Sequence, residues 1–95
     1  MIMNAKQIER ISKALGDPYR LKILETIKKE ESQGWLPCCA ILETINLAQS
    51  TVSHHIKQLV DADLLFADKD GRNAKYKINH EILDAYIGYL NLLKS

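Results

Sequence analysis

The chain has 95 residues, 46% of them hydrophobic and 26% charged, and its formal net charge is +1. This length suits one domain, residues 1–95, with a modest core that dimerisation would help to stabilise. No apolar run approaches the roughly 18 residues of a membrane helix, so no membrane partner is expected. A net charge near zero is weak evidence against nucleic-acid binding, although several lysines and an arginine cluster between residues 57 and 77.

The cysteine content and the first residues are those expected of a cytoplasmic protein. The opening residues, M-I-M-N-A-K-Q, lack the basic end and apolar block of a signal peptide, so a cytoplasmic protein is expected. The two adjacent cysteines, Cys38 and Cys39, do not form a disulfide framework and are expected to stay reduced there.

Two helices are predicted at the start of the chain. Asn4 is expected to cap the first helix, with Gln7 completing a capping-box pair, and Gly16 ends it. Asp17 before Pro18 predicts the start of the second, because an acidic N-cap followed by proline is a strong helix start. Apolar residues recur at helical spacing in both, at Ile8, Ile11 and Leu15 and then at Leu21, Ile23, Leu24 and Ile27.

A helix–turn–helix follows a loop at residues 32–34. Trp35 and Leu36 predict a short edge strand, and Pro37 suits the start of a third helix that carries Cys38, Ile41, Leu42 and Ile45. Asn46 is expected to end that helix in a left-handed backbone conformation, which asparagine tolerates. Because Ala48 is a poor N-cap, the fourth helix is predicted to begin at Gln49 or Ser50.

The fourth helix has two contrasting faces. At about 100° per residue, Val52, Ile56 and Leu59 lie on one face, with Val60 at its edge. The opposite face carries small, hydrogen-bonding or basic residues, which are Ser50, Ser53, His54 and Lys57. Such side chains fit a DNA major groove and contact base edges, so this is a candidate recognition helix.

A β-hairpin and a last helix complete the prediction. Two strands, residues 64–67 and 74–78, flank the hairpin signal Asp70-Gly71. A basic hairpin after a helix–turn–helix is a wing, whose Lys69, Arg72 and Lys75 are placed to meet phosphate or the minor groove. Asn79 is expected to cap the last helix. Its apolar stripe, suited to packing across a twofold axis, is Ile82, Leu83, Tyr86, Ile87, Leu90 and Leu93.

Three stretches of this sequence resemble the ArsR/SmtB family of winged-helix transcriptional repressors. They are A-L-G-D-P-Y-R-L-K-I-L at 14–24, L-A-Q-S-T-V-S-H-H-I at 47–56 and D-G-R-N-A-K-Y-K-I at 70–78. The resemblance implies a mostly α winged helix-turn-helix with a β-hairpin wing. It also implies a homodimer joined through the first and last helices, which binds double-stranded operator DNA and is released by an inducer.

The same resemblance assigns roles to individual residues. By position, the DNA-reading residues are Gln49, Ser50, Thr51, Ser53 and His54, with Arg72 in the wing. Gln49 and Thr51 have an alternative role as caps of the recognition helix, and His54 as a plain solvated residue. His55, beside the core face, is expected to be packed and hydrogen-bonded, and His80 to belong to a helix start.

The metal sites known in this family are not intact here. The soft-metal positions on the third helix fall on Pro37, Cys39 and Leu42, of which one is a cysteine. The zinc positions on the last helix include Ile82 and Leu93, which cannot bind a metal. The sequence therefore predicts no cofactor or resident metal, and it does not identify an inducer.

Three interpretations of the adjacent cysteines remain open. In the first, Cys38 is a small core residue and Cys39 is partly exposed. In the second, the pair binds a soft metal or arsenite with a third ligand. In the third, the pair responds to oxidants. A helix N-terminus would favour the thiolates in both of these sensing roles.

Two other classes of protein are alternatives to the DNA-binding repressor. A winged helix that binds protein instead of DNA would tolerate changes at Ser53, His54 and Arg72. An enzyme is disfavoured, because the sequence has no catalytic triad order, paired buried carboxylates or glycine-rich phosphate loop.

Overall fold

The computed structural model describes residues 3–70 and 73–95, which form five helices and a three-stranded antiparallel sheet. None of the helices in these residues is long and apolar enough to cross a membrane. The helices are α1 (Ala5–Leu15), α2 (Pro18–Lys29), α3 (Cys38–Thr44), α4 (Gln49–Asp61) and α5 (His80–Lys94), and the strands are β1 (Leu36–Pro37), β2 (Leu65–Asp70) and β3 (Asn73–Ile78).

The predicted N-caps are confirmed. The Asn4 side chain accepts a hydrogen bond from the Gln7 backbone at 2.8 Å, and the Gln7 side chain accepts one from the Asn4 backbone at 2.9 Å. Asp17 Oδ1 accepts from the backbone of the first turn of α2, and Asn79 Oδ1 from the Ile82 N–H. These short-range bonds satisfy N–H groups that a helix leaves unpaired at its start.

The sheet has the order β1-β3-β2. Its central strand, β3, pairs with β1 through Leu36 and Tyr76, and with β2 from Leu65 opposite Ile78 to Asp70 opposite Asn73. The hairpin is therefore confirmed, and β3 begins one residue before its predicted range. The first hairpin strand was predicted to end at Ala67, but β2 continues to Asp70, which pairs with Asn73. Gly71 and Arg72 lie outside the described residues.

The core lies where α1, α2, α3 and α4 meet the inner face of the sheet. Val52, Ile56 and Leu59 of α4 are at most 2% exposed, as the helical period predicts. They pack in one cluster with Ile23 of α2 and Ile41 of α3, both fully buried. Burial of aliphatic side chains of this size stabilises a fold by about 1.5–3 kcal/mol each, so this cluster fixes which face of α4 is outward.

The structure corrects four local expectations. Leu21 of α2 is 43% exposed instead of buried. The short edge strand is Leu36–Pro37, one residue later than predicted, because Trp35 precedes the pairing with β3. A 3-10 turn at Glu31–Gln33 occupies most of the predicted loop.

The fourth correction concerns the turn before α4. Asn46 does not adopt a left-handed conformation there. Among the non-glycine residues that the structure describes, that conformation occurs at Asp63, with φ of 62°, in the turn between α4 and β2. Leu47 instead donates a backbone bond to the Ile45 carbonyl, so the chain turns without a left-handed residue.

Candidate nucleic-acid interface

The outward face of α4 carries every helical residue predicted to contact DNA. Gln49, Ser50, Thr51, Ser53, His54 and Lys57 are all exposed. Within residues 3–70 and 73–95, the first five make no side-chain hydrogen bond, so their donors and acceptors are free for a ligand. The alternative role of Gln49 and Thr51 as caps is wrong, because Ala48 is the N-cap and no side chain bonds to it.

Lys57 has a partner on its own helix. Its Nζ lies 2.7 Å from Asp61 Oδ2, and both side chains are largely exposed. An exposed pair one helical turn apart contributes only a few tenths of a kcal/mol, so a phosphate group would compete for this lysine at little cost.

A groove of about 500 Å³ separates α4 from the sheet. Its α4 side is formed by Gln49, Ser53 and Lys57, and its other side by Lys69. Cys38 and Tyr76 also line the groove. The register explains the position of Lys69, because residues alternate between the two faces of a strand and Lys69 pairs with inward-facing Ala74.

Lys75 lies on the other face of the hairpin. It pairs with Asp68 across the two strands, and its Nζ lies 3.7 Å from Asp68 Oδ2. The two described lysines that were predicted to meet DNA from the wing therefore point to opposite faces, which was not predicted from the sequence. The third predicted wing residue, Arg72, is outside the described residues.

The two cysteines lie at the end of this groove nearest the start of α4. Both line a small cavity of about 160 Å³ together with Gln49 of α4 and Asn73 of β3. Cys38 is half-buried and Cys39 is exposed, and both are free thiols. Asn73 and Ala74 were not predicted as lining residues, because their place depends on how the hairpin folds back over α3.

Burial raises the pKa of the Cys38 thiol, and the neighbouring Cys39 raises it further. The helix N-terminus is expected to favour the thiolates of this pair, whereas at Cys38 removal from water acts in the opposite direction, because it disfavours the charged form. In the described residues, no three histidine, cysteine or acidic side chains come together as a metal site.

The other two histidines lie outside the groove. The His55 ring stacks on Tyr19 with ring centres 6.0 Å apart, and its Nδ1 lies 3.3 Å from an Arg20 nitrogen, which confirms that it is packed and hydrogen-bonded. His80 begins α5 and contacts Glu31, so it joins α5 to the 3-10 turn that follows α2. The contact of Arg20 with His55 was not predicted from the sequence.

This arrangement is that of a winged helix-turn-helix, and comparison with known proteins gives its family. A family model described as a helix-turn-helix domain matches residues 15–65. The arsenical resistance operon repressor of Staphylococcus aureus is 41% identical over 93 residues, which cover 98% of this chain and 86% of that protein.

Solved structures share the fold. A crystal structure of an ArsR family transcriptional regulator has a TM-score of 0.84 at 24% identity and covers 99% of this chain and 93% of its own. The solution structure of a homodimeric winged helix-turn-helix DNA-binding domain from Mycobacterium bovis has a TM-score of 0.69 at 23% identity, with coverage of 94% and 80%. The chain belongs to the ArsR/SmtB family of winged-helix transcriptional regulators, which are not enzymes.

Proposed function

We propose that this protein is a cytoplasmic, homodimeric repressor that binds operator DNA through α4 and the wing. The observation that carries the proposal is the outward face of α4, where exposed serine, threonine, glutamine and histidine side chains have no hydrogen-bond partner among the residues that the structure describes. Their donors and acceptors suit base edges in a major groove. Lys69, across the groove from α4, suits a phosphate of the same duplex.

A dimer is proposed because α5 leaves apolar side chains in water. Ile87, Leu90 and Leu93 are 44–68% exposed. The Ser12 and Tyr86 hydroxyls, 2.8 Å apart, hold α1 beside α5. A second copy that covers both helices would bury this surface and present two recognition helices to two half-sites. The Mycobacterium bovis domain with this fold is described as homodimeric.

The DNA-binding proposal predicts that one of two variants loses specificity and the other loses affinity for any duplex. His54→Ala should weaken operator binding by about tenfold, the scale of one base contact, and should reduce the preference over unrelated duplex. Arg72→Ala should weaken binding to both duplexes and lower the salt slope by about one. Fluorescence anisotropy on the promoter of its own gene, at fixed salt and then over a salt series, measures both.

Lys29→Ala is the matched control, because it removes an exposed lysine at the end of α2, outside the groove. Wild-type affinity in the control with losses in the other two supports the proposal. Unchanged duplex affinity in both test variants would contradict it, and absence of any salt-dependent duplex binding by the wild type would favour a protein-binding winged helix.

We further propose that the regulated genes confer arsenical resistance and that trivalent arsenic is the inducer. The support is the similarity to the Staphylococcus aureus repressor and the position of Cys38 and Cys39 against both α4 and β3. Arsenite binding to two thiols forms two As–S bonds and releases two waters, made from two arsenic hydroxyls and the two thiol protons. A bulky soft ligand at this point would separate α4 from the wing.

Arsenite should therefore release the wild-type protein from labelled operator, and Cys38→Ser/Cys39→Ser should bind the operator normally but stay bound when arsenite is added. Zinc and peroxide are added to parallel samples, and reductant is then added to the peroxide sample. Release by peroxide alone, reversed by reductant, would replace arsenic by oxidation as the signal. No release by any of these additions would contradict a sensing role for the cysteines.

A further inference from the structure

The guanidinium of Arg20, which extends from α2, contacts two other helices at once. Its Nε donates to the Ala14 carbonyl at 2.7 Å and its Nη2 to the Lys13 carbonyl at 3.1 Å, both in the last turn of α1. Its Nη1 lies 3.3 Å from His55 Nδ1 on α4. A cation at the C-terminal end of a helix pairs with carbonyls that lack helical partners, so Arg20 has a fixed position against α1.

This contact selects the tautomer of a neutral His55 ring. A guanidinium has donors and no acceptor, so Nδ1 must accept the bond, and the neutral ring carries its proton on Nε2. The ring has little freedom, because its side chain is 12% exposed and stacks on Tyr19. Asp17 Oδ1, 4.0 Å from Nδ1, is beyond hydrogen-bond length.

Asp17 belongs to the same cluster as Tyr19, Arg20 and His55. Its Oδ1 accepts from the Tyr19 N–H at 2.8 Å and the Arg20 N–H at 3.2 Å. Burial would raise the pKa of this carboxyl, but the two N–H bonds, together with the nearby His55 and Arg20 side chains, outweigh it and keep the pKa below its usual value. Because Asp17 caps α2 as a carboxylate, the backbone from which the Arg20 side chain extends is fixed.

The bond to His55 differs in kind from the other contacts of α4. Val52, Ile56 and Leu59 hold the helix through apolar packing, which fixes the face of α4 that is buried. Because such packing is non-directional, it defines the rotation about the helix axis less exactly than a hydrogen bond does. Within residues 3–70 and 73–95, the bond from Arg20 to His55 is the one side-chain hydrogen bond that joins α4 to another helix. It acts one residue away from His54 on the outward face.

We propose that His55 is a positioning residue that, through Arg20, sets the rotation of the recognition helix relative to α1. The proposal rests on DNA binding by α4 and on α1 as part of the dimer interface. In a dimer, α1 would fix the twofold axis, so this bond would set how the base-contacting side chains face the two half-sites. His55 itself points inward and makes no DNA contact.

The test is a pair of substitutions at one position. His55→Ala removes the acceptor, whereas His55→Asn keeps one, because the asparagine side-chain oxygen lies close to the place of Nδ1. The alanine variant should lose about tenfold in operator affinity, the scale of a hydrogen bond to a charged group, while binding unrelated duplex as the wild type does. The asparagine variant should recover most of that loss.

A double-mutant cycle separates positioning from general damage. Arg20→Gln combined with His55→Ala should lose no more operator affinity than the larger of the two single losses, because both variants remove the same bond. His80→Ala is the matched control, a histidine-to-alanine change outside the cluster, and it should bind as the wild type does. Thermal unfolding of each variant shows which of them are folded at the assay temperature.

Three results would overturn the proposal. One is operator affinity in His55→Ala equal to that of the wild type, and another is an equal loss in the alanine and asparagine variants. The third is a parallel loss on operator and unrelated duplex, which would assign His55 to stability alone. A wild-type protein with no operator preference would instead overturn the DNA-binding function, and this proposal with it.

Discussion

At the scale of single residues, neighbours in the sequence have different chemistry in the fold. Cys38 points toward the groove between α4 and the sheet and is half-buried, whereas Cys39 is exposed. The sequence predicts adjacency and free thiols for this pair, but not which of them loses contact with water. That difference arises because Ala74, Tyr76 and the start of α4 cover Cys38 and leave Cys39 open.

The two thiols should therefore react at different rates. Because burial raises the Cys38 pKa, little of its thiolate forms at neutral pH, and its alkylation by iodoacetamide should be at least several-fold slower than that of Cys39. The Cys38 rate should rise as the pH approaches the raised pKa. Mass spectrometry of Cys38→Ser and Cys39→Ser follows each thiol alone, and equal rates at neutral pH would contradict the prediction.

At the scale of elements, α4 starts with a weaker cap than α1, α2 and α5 do. Ala48 has the extended N-cap conformation, with φ −61° and ψ 146°, but no side-chain acceptor for the first-turn N–H groups. The N-caps of α1, α2 and α5 are Asn4, Asp17 and Asn79, and the side chain of each accepts a hydrogen bond from the first turn of its helix. The stability of the recognition helix thus depends on the packing of its apolar face more than on its N-cap.

Ala48→Ser should increase the free energy of unfolding by about 1 kcal/mol, because the backbone already has N-cap geometry and serine supplies the missing acceptor. Asn79→Ala, which removes an existing cap from α5, should decrease it by about the same amount. Urea denaturation measures both changes. A serine variant no more stable than the wild type, alongside a destabilised Asn79→Ala, would contradict the prediction for α4.

At the scale of the whole molecule, the apolar surface of α5 is larger than one copy of the chain covers. Ile82 is buried, but the same stripe continues through Ile87, Leu90 and Leu93, which remain in water. The sequence predicts this stripe from helical spacing, and the fold shows which part the monomer leaves uncovered. The uncovered part lies toward the C-terminal half of α5.

Leu90→Glu should raise the dimer dissociation constant by about a hundredfold or more, because a symmetric interface loses the leucine twice and gains two charges. Asn91→Glu is the matched control, since it adds the same charge on the polar side of the helix. Sedimentation velocity at micromolar concentration distinguishes monomer from dimer. A monomeric wild type, or a dimeric Leu90→Glu, would contradict the proposed interface.

The sequence by itself determined the features that depend on residues a few positions apart. The caps at Asn4, Asp17 and Asn79, the two faces of α4 and the hairpin next to Asp70 are all of this kind. Each follows from hydrogen bonds or periodicity within one or two turns of chain, so no knowledge of the rest of the fold is needed.

Only the tertiary structure decided which distant groups meet. Arg20 and His55 are 35 positions apart. Whether Lys69 or Lys75 faces α4 depends on which face of the hairpin packs toward that helix, and no local pattern fixes this. Cys38 has a raised pKa because β3 folds back over α3. Desolvation and long-range hydrogen bonds depend on the whole packing arrangement, and that is why the DNA-binding face could be predicted and the contacts behind it could not.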